Sequence, residues 1–233
     1  MTGLDFGRFD VLTFDCYGTL IDWEAGILAG LHAVLDPRGV TADDEDLLEH
    51  YARHEAAIEA GPYLRYREVL ARALAGVCAE VGVEPRDEEL AAFGGSVGSW
   101  PAFPDSAAAL SRLHERFGLA VITNCDDDLF AASARRLGVA FDFVITAQQV
   151  GAYKPSHRNF EVAFERIDRP RDRILHVAQS LFHDHVPARE LGLSSVWIDR
   201  RHDRPGSGAT PPAAAAPALT VPDMATFAEL ATA

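Results

Sequence analysis

The sequence predicts an α/β fold: a parallel sheet with helices on both faces, interrupted after its first strand by an inserted helical cap. Three observations predict it. Short apolar runs at residues 9–15, 119–123, 141–146, 174–178 and 194–199 lack strict alternation, as strands covered on both faces do. From residue 105 onward these runs alternate with amphipathic helical segments, the pattern of a parallel sheet with right-handed crossovers. Between residues 23 and 98 only helical spacing appears. The expected architecture is a Rossmann-like core made of residues 1–21 and 100–233, with residues 22–99 as the cap.

The first run, FDVLTFD, ends at Asp15, and CYGTL turns the chain. Helical spacing follows in Ile27, Leu31, Val34 and Leu35, then in Leu47, Leu48 and Tyr51, then in Val69, Leu70, Leu74, Val77 and Val81. Breaks fall at DPRG (36–39), AGP (60–62) and GVEP (82–85). Gly94, Gly95 and Gly98 make the return connection pliable, so the cap is expected to move as a lid. WPAFPD (100–105) marks the return, with Asp105 or Ser106 as cap of a helix over 107–117. Further helices are expected over 129–137, 158–167 and 186–191. The acids Asp126 to Asp128 read as an N-cap and helix-dipole cluster. RHDRPGSGATPPAAAAP (201–217) reads as a flexible surface loop, and a short final element over 219–230 docks back.

A chain of 233 residues suits one or two domains at roughly 150 residues each. Its 35 acids against 21 lysines and arginines give a net charge of −14, which argues against nucleic acid and against an anionic membrane as partners. Cys16, Cys78 and Cys125 form no disulfide framework and no zinc pattern, as expected of a cytoplasmic protein with reduced thiols. No apolar run approaches the ~20 residues of a membrane span. The opening MTGLDFGRFD carries acids where a signal peptide has an apolar core.

In an open parallel sheet, ligands bind at the carboxyl ends of the strands. The residues expected there are Asp15, Tyr17, Gly18 and Thr19 after the first strand, Thr123 and Asn124 after the second, and Lys154 after the third. Gln179, Ser180, His183, Asp184 and His185 follow the fourth. An acid, a pair of hydroxyls and a lysine converging in this way form a candidate nucleophile site. Singly, each has a plainer reading as a turn, cap or surface residue.

The segments Asp15-Cys16-Tyr17-Gly18-Thr19-Leu20, Ile122-Thr123-Asn124, Lys154-Pro155 and Ala178-Gln179-Ser180 with Asp184 resemble the four motifs of the haloacid dehalogenase-like hydrolases. The first motif and the position of the helical insert resemble the type II 2-haloacid dehalogenases. The resemblance implies that Asp15 is a nucleophile, displacing halide from carbon to leave an ester that water hydrolyses. It implies that Thr19 and Thr123 orient the nucleophile and the substrate carboxylate, with Asn124 beside them, and that Lys154 balances the charge of Asp15. It places the Tyr17 and Gly18 amides at the substrate carboxylate, Ser180 and His183 at the substrate, and Arg53 near the leaving halide, with Arg65 or Arg67 as alternatives. Asp184 or His183 would activate water. A small anionic substrate, a short 2-substituted carboxylate, and a homodimer are implied.

Two alternatives stay open. Phosphatases of this superfamily carry an acid two residues after the nucleophile; here that position is Tyr17, and a halide needs no proton to leave. The position after the small residue of the fourth motif is Gln179, where an acid is often found. No cofactor is therefore expected. The alternative is a magnesium-dependent phosphatase with Mg2+ on Asp15, the Tyr17 carbonyl and Asp184. A non-catalytic small-carboxylate binder is the other. This chain also departs from the dehalogenases, with Gln-Ser-Leu-Phe-His-Asp (179–184) in place of a serine-serine-asparagine stretch, and Phe160 where they carry a tyrosine. Cys16 reads as a small buried thiol, and Trp23, Tyr63, Tyr66 and Phe182 as either cleft lining or core.

Overall fold

The computed structural model describes residues 3–204 and 206–233. Met1 and Thr2 of the expected core, and Pro205 of the expected surface loop, lie outside the described residues. After β1 (Val11–Phe14) come four helices without an intervening strand: α1 (Trp23–Leu35), α2 (Asp44–Glu59), α3 (Tyr66–Glu80) and α4 (Asp87–Gly94). The alternating part then runs α5 (Ser106–His114), β2 (Gly118–Thr123), α6 (Asp127–Leu137), β3 (Phe143–Thr146), α7 (Ala147–Val150) and α8 (His157–Ile167). It continues through β4 (Ile174–Ala178), α9 (Val186–Glu190), β5 (Ser194–Ile198), β6 (Leu219–Val221) and α10 (Met224–Ala231).

The strands form one parallel sheet in the order β3-β2-β1-β4-β5-β6, so the Rossmann-like α/β class is correct. Alternate side chains go to opposite faces. Leu12, Phe14, Leu119, Val121, Leu175 and Val177 join the larger apolar cluster, which continues into α1 to α4. Val11, Ala120, Ile122 and Ile174 pack on the other face with Phe160 and Ala163 of α8. Burial on both faces is why these strands read as continuous apolar runs.

Several local expectations change. The final element is two elements: Pro222 ends β6, and Asp223 starts α10 by accepting from the Thr226 amide at 2.7 Å. Asp105 makes no side-chain cap at α5. Its Oδ2 accepts instead from the Met224 and Ala225 amides of α10 at 2.8 and 3.2 Å and from Arg200 at 3.0 Å. Gly94 and Gly98 have a packing role: a Cβ would lie 2.5 Å from the Arg67 carbonyl oxygen at Gly94, and 2.7 Å from the Ala132 Cβ at Gly98. The segment 201–217 is not simply a surface loop. Arg201, Ala209 and Thr210 are buried, and Glu24 of α1 holds the segment through Arg201, Arg204 and the Ala209 amide. No helix among the described residues is long and apolar enough to cross a membrane.

Candidate active site

The strand order reverses direction between β1 and β4, and the open end of that crevice is where an α/β sheet binds ligands. Asp15 follows β1. The tight turn behind it bonds the Leu20 and Ile21 amides to the Cys16 carbonyl, with Gly18 at φ +91°. Thr19 thereby points back at the carboxylate and donates to Asp15 Oδ2 at 2.7 Å. The Gln179 amide donates to Thr19 Oγ1 at 2.9 Å, so the hydroxyl hydrogen is directed to Asp15.

Lys154 is the centre of the site. Its Nζ donates to Asp15 Oδ1 at 2.8 Å, to Asp184 Oδ1 at 2.7 Å and to the Ile122 carbonyl at 2.9 Å. An ammonium has three hydrogens, and all three are used. Asn124 fixes the lysine backbone, accepting from its amide at 2.7 Å and donating to its carbonyl at 3.1 Å. Asp184 sits in a wide helical turn, Leu181–His185, and is fully buried. His176 joins Asp184 Oδ1 through Nε2 at 2.9 Å and the Thr13 hydroxyl through Nδ1 at 2.9 Å. Asp184 Oδ2 is buried and has no hydrogen-bond partner among the described residues.

These contacts order the ionisations. Burial opposes the charge on Asp184, but Lys154 and the His176 hydrogen bond hold it well below the usual carboxylate range. Burial holds Asp15 above that range against the pull of Lys154, and the Asp184 charge adds to the rise. Burial would lower Lys154, but the two carboxylates beside it keep its pKa raised. Burial pushes His183 down to about 4, so its imidazole is neutral at pH 7. Cys16 is buried beside Asp15, and burial raises its thiol well above the ordinary value.

A cavity of about 30 Å3 opens on Asp15. Asp15, Asn124, Lys154, Ser180, His183 and Asp184 line it. Tyr17 and Trp23, Glu55 and Glu59 of α2, Tyr66 of α3 and Thr210 complete the lining. Glu55 is 3% exposed, and its Oε1 accepts from the Tyr51 and Tyr66 hydroxyls at 2.7 and 2.9 Å. Glu59 Oε2 accepts from Asn124 at 3.4 Å, while its buried Oε1 has no partner among the described residues.

The structure thus gathers Asp15, Tyr17, Thr19, Asn124, Lys154, Ser180, His183 and Asp184, and corrects four expectations. Arg53 is turned outward to Glu80 at 3.2 Å, with its side chain 61% exposed, because its position lies on the outer face of α2. Arg65 and Arg67 face Asp126 and, for Arg67, Asp128; among the described residues no arginine lines the cavity. The Gly18 amide is consumed by the Ile21 carbonyl at 2.8 Å and is not open to a carboxylate. Thr123 Oγ1 is buried with no partner among the described residues, and Thr123 does not line the cavity. Tyr63 and Phe182 are not on the cavity either. Phe160 packs its ring edge-on against His176, with the centroids 5.3 Å apart. Three residues were missed. His176 was signalled by a histidine inside the apolar run ILHVA. Glu55 and Glu59 were signalled by acids at i+4 and i+8 from Tyr51 on the buried stripe of α2.

Of the residues offered for magnesium, Asp15 and Asp184 are bridged by the Lys154 ammonium at 2.8 and 2.7 Å. Among the described residues no cluster of three or more histidine, cysteine, aspartate or glutamate side chains is placed to hold a metal ion.

Residues 9–180 match the family model of the haloacid dehalogenase-like hydrolases. The (S)-2-haloacid dehalogenase H-109 of Pseudomonas putida is 25% identical over 193 residues, covering 82% of this chain and 85% of that protein. The pyrimidine 5'-nucleotidase YjjG of Escherichia coli is 26% identical over 111 residues, 46% of this chain and 49% of that protein. The solved structure of the L-2-haloacid dehalogenase RSc1362 superposes with a TM-score of 0.81 at 22% identity, covering 97% of this chain and 99% of that one.

Proposed function

This chain belongs to the haloacid dehalogenase-like hydrolases, and from that premise we propose that it hydrolyses a small halogenated acid of the 2-haloacid type through an ester on Asp15. The observation that carries the reading is the Asp15 carboxylate held by Thr19 and Lys154 at the mouth of the cavity, with no acid on the leaving-group side at position 17. Asp15 attacks the halogen-bearing carbon and halide departs with the bonding electron pair. Water then adds to the carbonyl carbon of the ester, giving the hydroxy acid and free Asp15. Asp184 Oδ2, which has no hydrogen-bond partner among the described residues, is the acceptor for the water proton, and His176 and Lys154 hold it in place. Residues 22–99 act in this reading as a cap over the core of 1–21 and 100–233.

A phosphatase must protonate an ester oxygen. Tyr17 is a poor candidate for that task, because its hydroxyl is turned to Ser133 and Cys125 at 3.0 and 3.3 Å and burial raises its pKa well above the ordinary value. The deciding experiment is halide release from racemic 2-chloropropionate with excess EDTA, for wild type and Asp15→Asn. Release by wild type alone supports the reading. Equal release by Asp15→Asn, or complete loss of wild-type release with EDTA, overturns it.

A further inference from the structure

The cavity that opens on Asp15 holds about 30 Å3, on the scale of a few water molecules. Two clefts outside it hold about 280 and 520 Å3. Thr210 is buried and lines all three, so the segment that carries it, residues 206–212, stands between the inner cavity and both clefts. A molecule the size of a haloacid reaches Asp15 only if part of this wall moves. The wall has two movable candidates, and they are fastened differently. The inserted helices are tied to the core at several buried points. Asp126 accepts the Tyr66 and Arg67 amides at 3.0 and 3.3 Å, the Tyr153 hydroxyl donates to the Leu64 carbonyl at 2.8 Å, and the Tyr66 ring stacks on Tyr17. Residues 206–212 have much less. Among the described residues, the one hydrogen bond joining them to anything beyond their own segment runs from the Ala209 amide to Glu24 Oε1 at 3.2 Å. Glu24 Oε2 also holds the chain just before them, through Arg201 at 2.5 Å and Arg204 at 3.3 Å, and Arg201 pairs in turn with Glu45 of α2. Gly208 permits this close approach: its φ is +61°, and a Cβ there would lie 1.8 Å from Glu24 Oε1.

We propose that residues 206–212 are the gate of the site: they swing away at Thr210 to admit small molecules to Asp15, with Glu24 as the latch, while the inserted helices stay seated on the core. The cost of each motion favours the strap. Its buried residues are Gly208, Ala209 and Thr210, all small, so lifting it uncovers little apolar surface. Lifting the insert would uncover the rings of Tyr17, Tyr66, Trp100 and Tyr153, which are buried where insert and core meet. Only the Ala209 hydrogen bond has to break for the strap to move, since Arg201 and Arg204 lie outside it and can keep their hold on Glu24. The inference concerns how Asp15 is reached, and holds whatever bond Asp15 attacks.

The test reads access to the cavity and needs no turnover. Ser180 lines the cavity, so Ser180→Cys places a thiol there. Alkylation at position 180 by iodoacetamide, in which the thiolate displaces iodide, is followed by mass spectrometry. Adding Glu24→Gln is expected to speed it roughly ten-fold, the scale of one charge-assisted hydrogen bond lost. Gly208→Ala, whose methyl group pushes Glu24 away, should act in the same direction, and Asp126→Ala, which loosens the insert, should leave the rate unchanged. The buried Cys16, Cys78 and Cys125 should stay unmodified throughout. Hydrogen exchange of the wild-type protein needs no substitution: the Ala209 amide should exchange faster than the Tyr66 and Arg67 amides. The proposal is overturned by no acceleration in either strap variant, or by an equal or greater one in Asp126→Ala. It is equally overturned if the three native cysteines react as fast as position 180, which means opening of the whole molecule, or if Ala209 is the slowest of the three amides.

Discussion

Asp126 Oδ1 accepts the backbone amide of Tyr66 at 3.0 Å, although the two residues belong to different layers of the molecule. Asp126 precedes α6 of the core, and Tyr66 is the first residue of α3 in the insert. Its Oδ2 also accepts from the Arg67 amide and Nε, each at 3.3 Å. The carboxylate is fully buried and caps the N-terminus of α3, a helix whose own N-cap position, Arg65, supplies no side-chain hydrogen bond. Tyr66 then stacks on Tyr17 beside Asp15. One acid at the start of α6 therefore holds the start of α3 beside the site.

Replacing Asp126 by alanine removes that cap. A lost N-cap costs about 1–2 kcal/mol. Hydrogen exchange at the Tyr66 and Arg67 amides should accelerate, with smaller effects in β1 to β5. Unchanged protection at both amides would show that the contact does not hold α3.

Lys154→Met leaves Asp15 and Asp184 buried with no cation between them. Breaking a buried ion pair by removing one partner costs about 3–5 kcal/mol. Urea denaturation at pH 7 should show a loss of that size, reduced at lower pH where the carboxyls take up protons. A variant as stable as wild type would mean that the three-way contact is energetically idle.

Asp184→Asn tests the second half of the reaction. With the proton acceptor gone, the ester on Asp15 should form and persist, and mass spectrometry of the intact protein after mixing with 2-chloropropionate should detect the added 1-carboxyethyl mass. A variant that turns over like wild type would assign water activation elsewhere.

Two buried groups give opposite pH signatures. His183 is held near 4 by burial, below the ~6.5 of an unfolded histidine, so the unfolded chain binds more protons between those values. Its contribution is fully present above pH ~6.5 and is lost as pH falls toward 4. Glu55 is raised to about 7 by burial, against the hydrogen bonds from Tyr51 and Tyr66, so its contribution is present below its ordinary value of 4.5 and is lost as pH rises through 7. Glu55→Gln should remove the loss on the alkaline side, and His183→Gln the loss on the acid side. Stability profiles unchanged by both substitutions would contradict this assignment.

The sequence by itself determined five strands of the sheet and which residues stand at their carboxyl ends. Buried parallel strands must be apolar on both faces, and a catalytic turn must begin where the strand stops, so Asp15, Thr19, Lys154 and Asp184 stood out in chain order. Their positions at the strand ends are set by local sequence. Tertiary structure alone decided which partner each remaining charge takes. Asp105 and Asp126 look like caps of the helices that follow them, yet both satisfy the first amides of helices distant in sequence, because an orphaned N–H donates to any carboxylate that packing brings within about 3 Å. Arg53 belongs to the right helix but to its outer face, while Glu55 and Glu59 turn inward; a rotation of some 100° per residue separates them. The charge of the cavity follows from that rotation, which brings Glu55 and Glu59 to its lining.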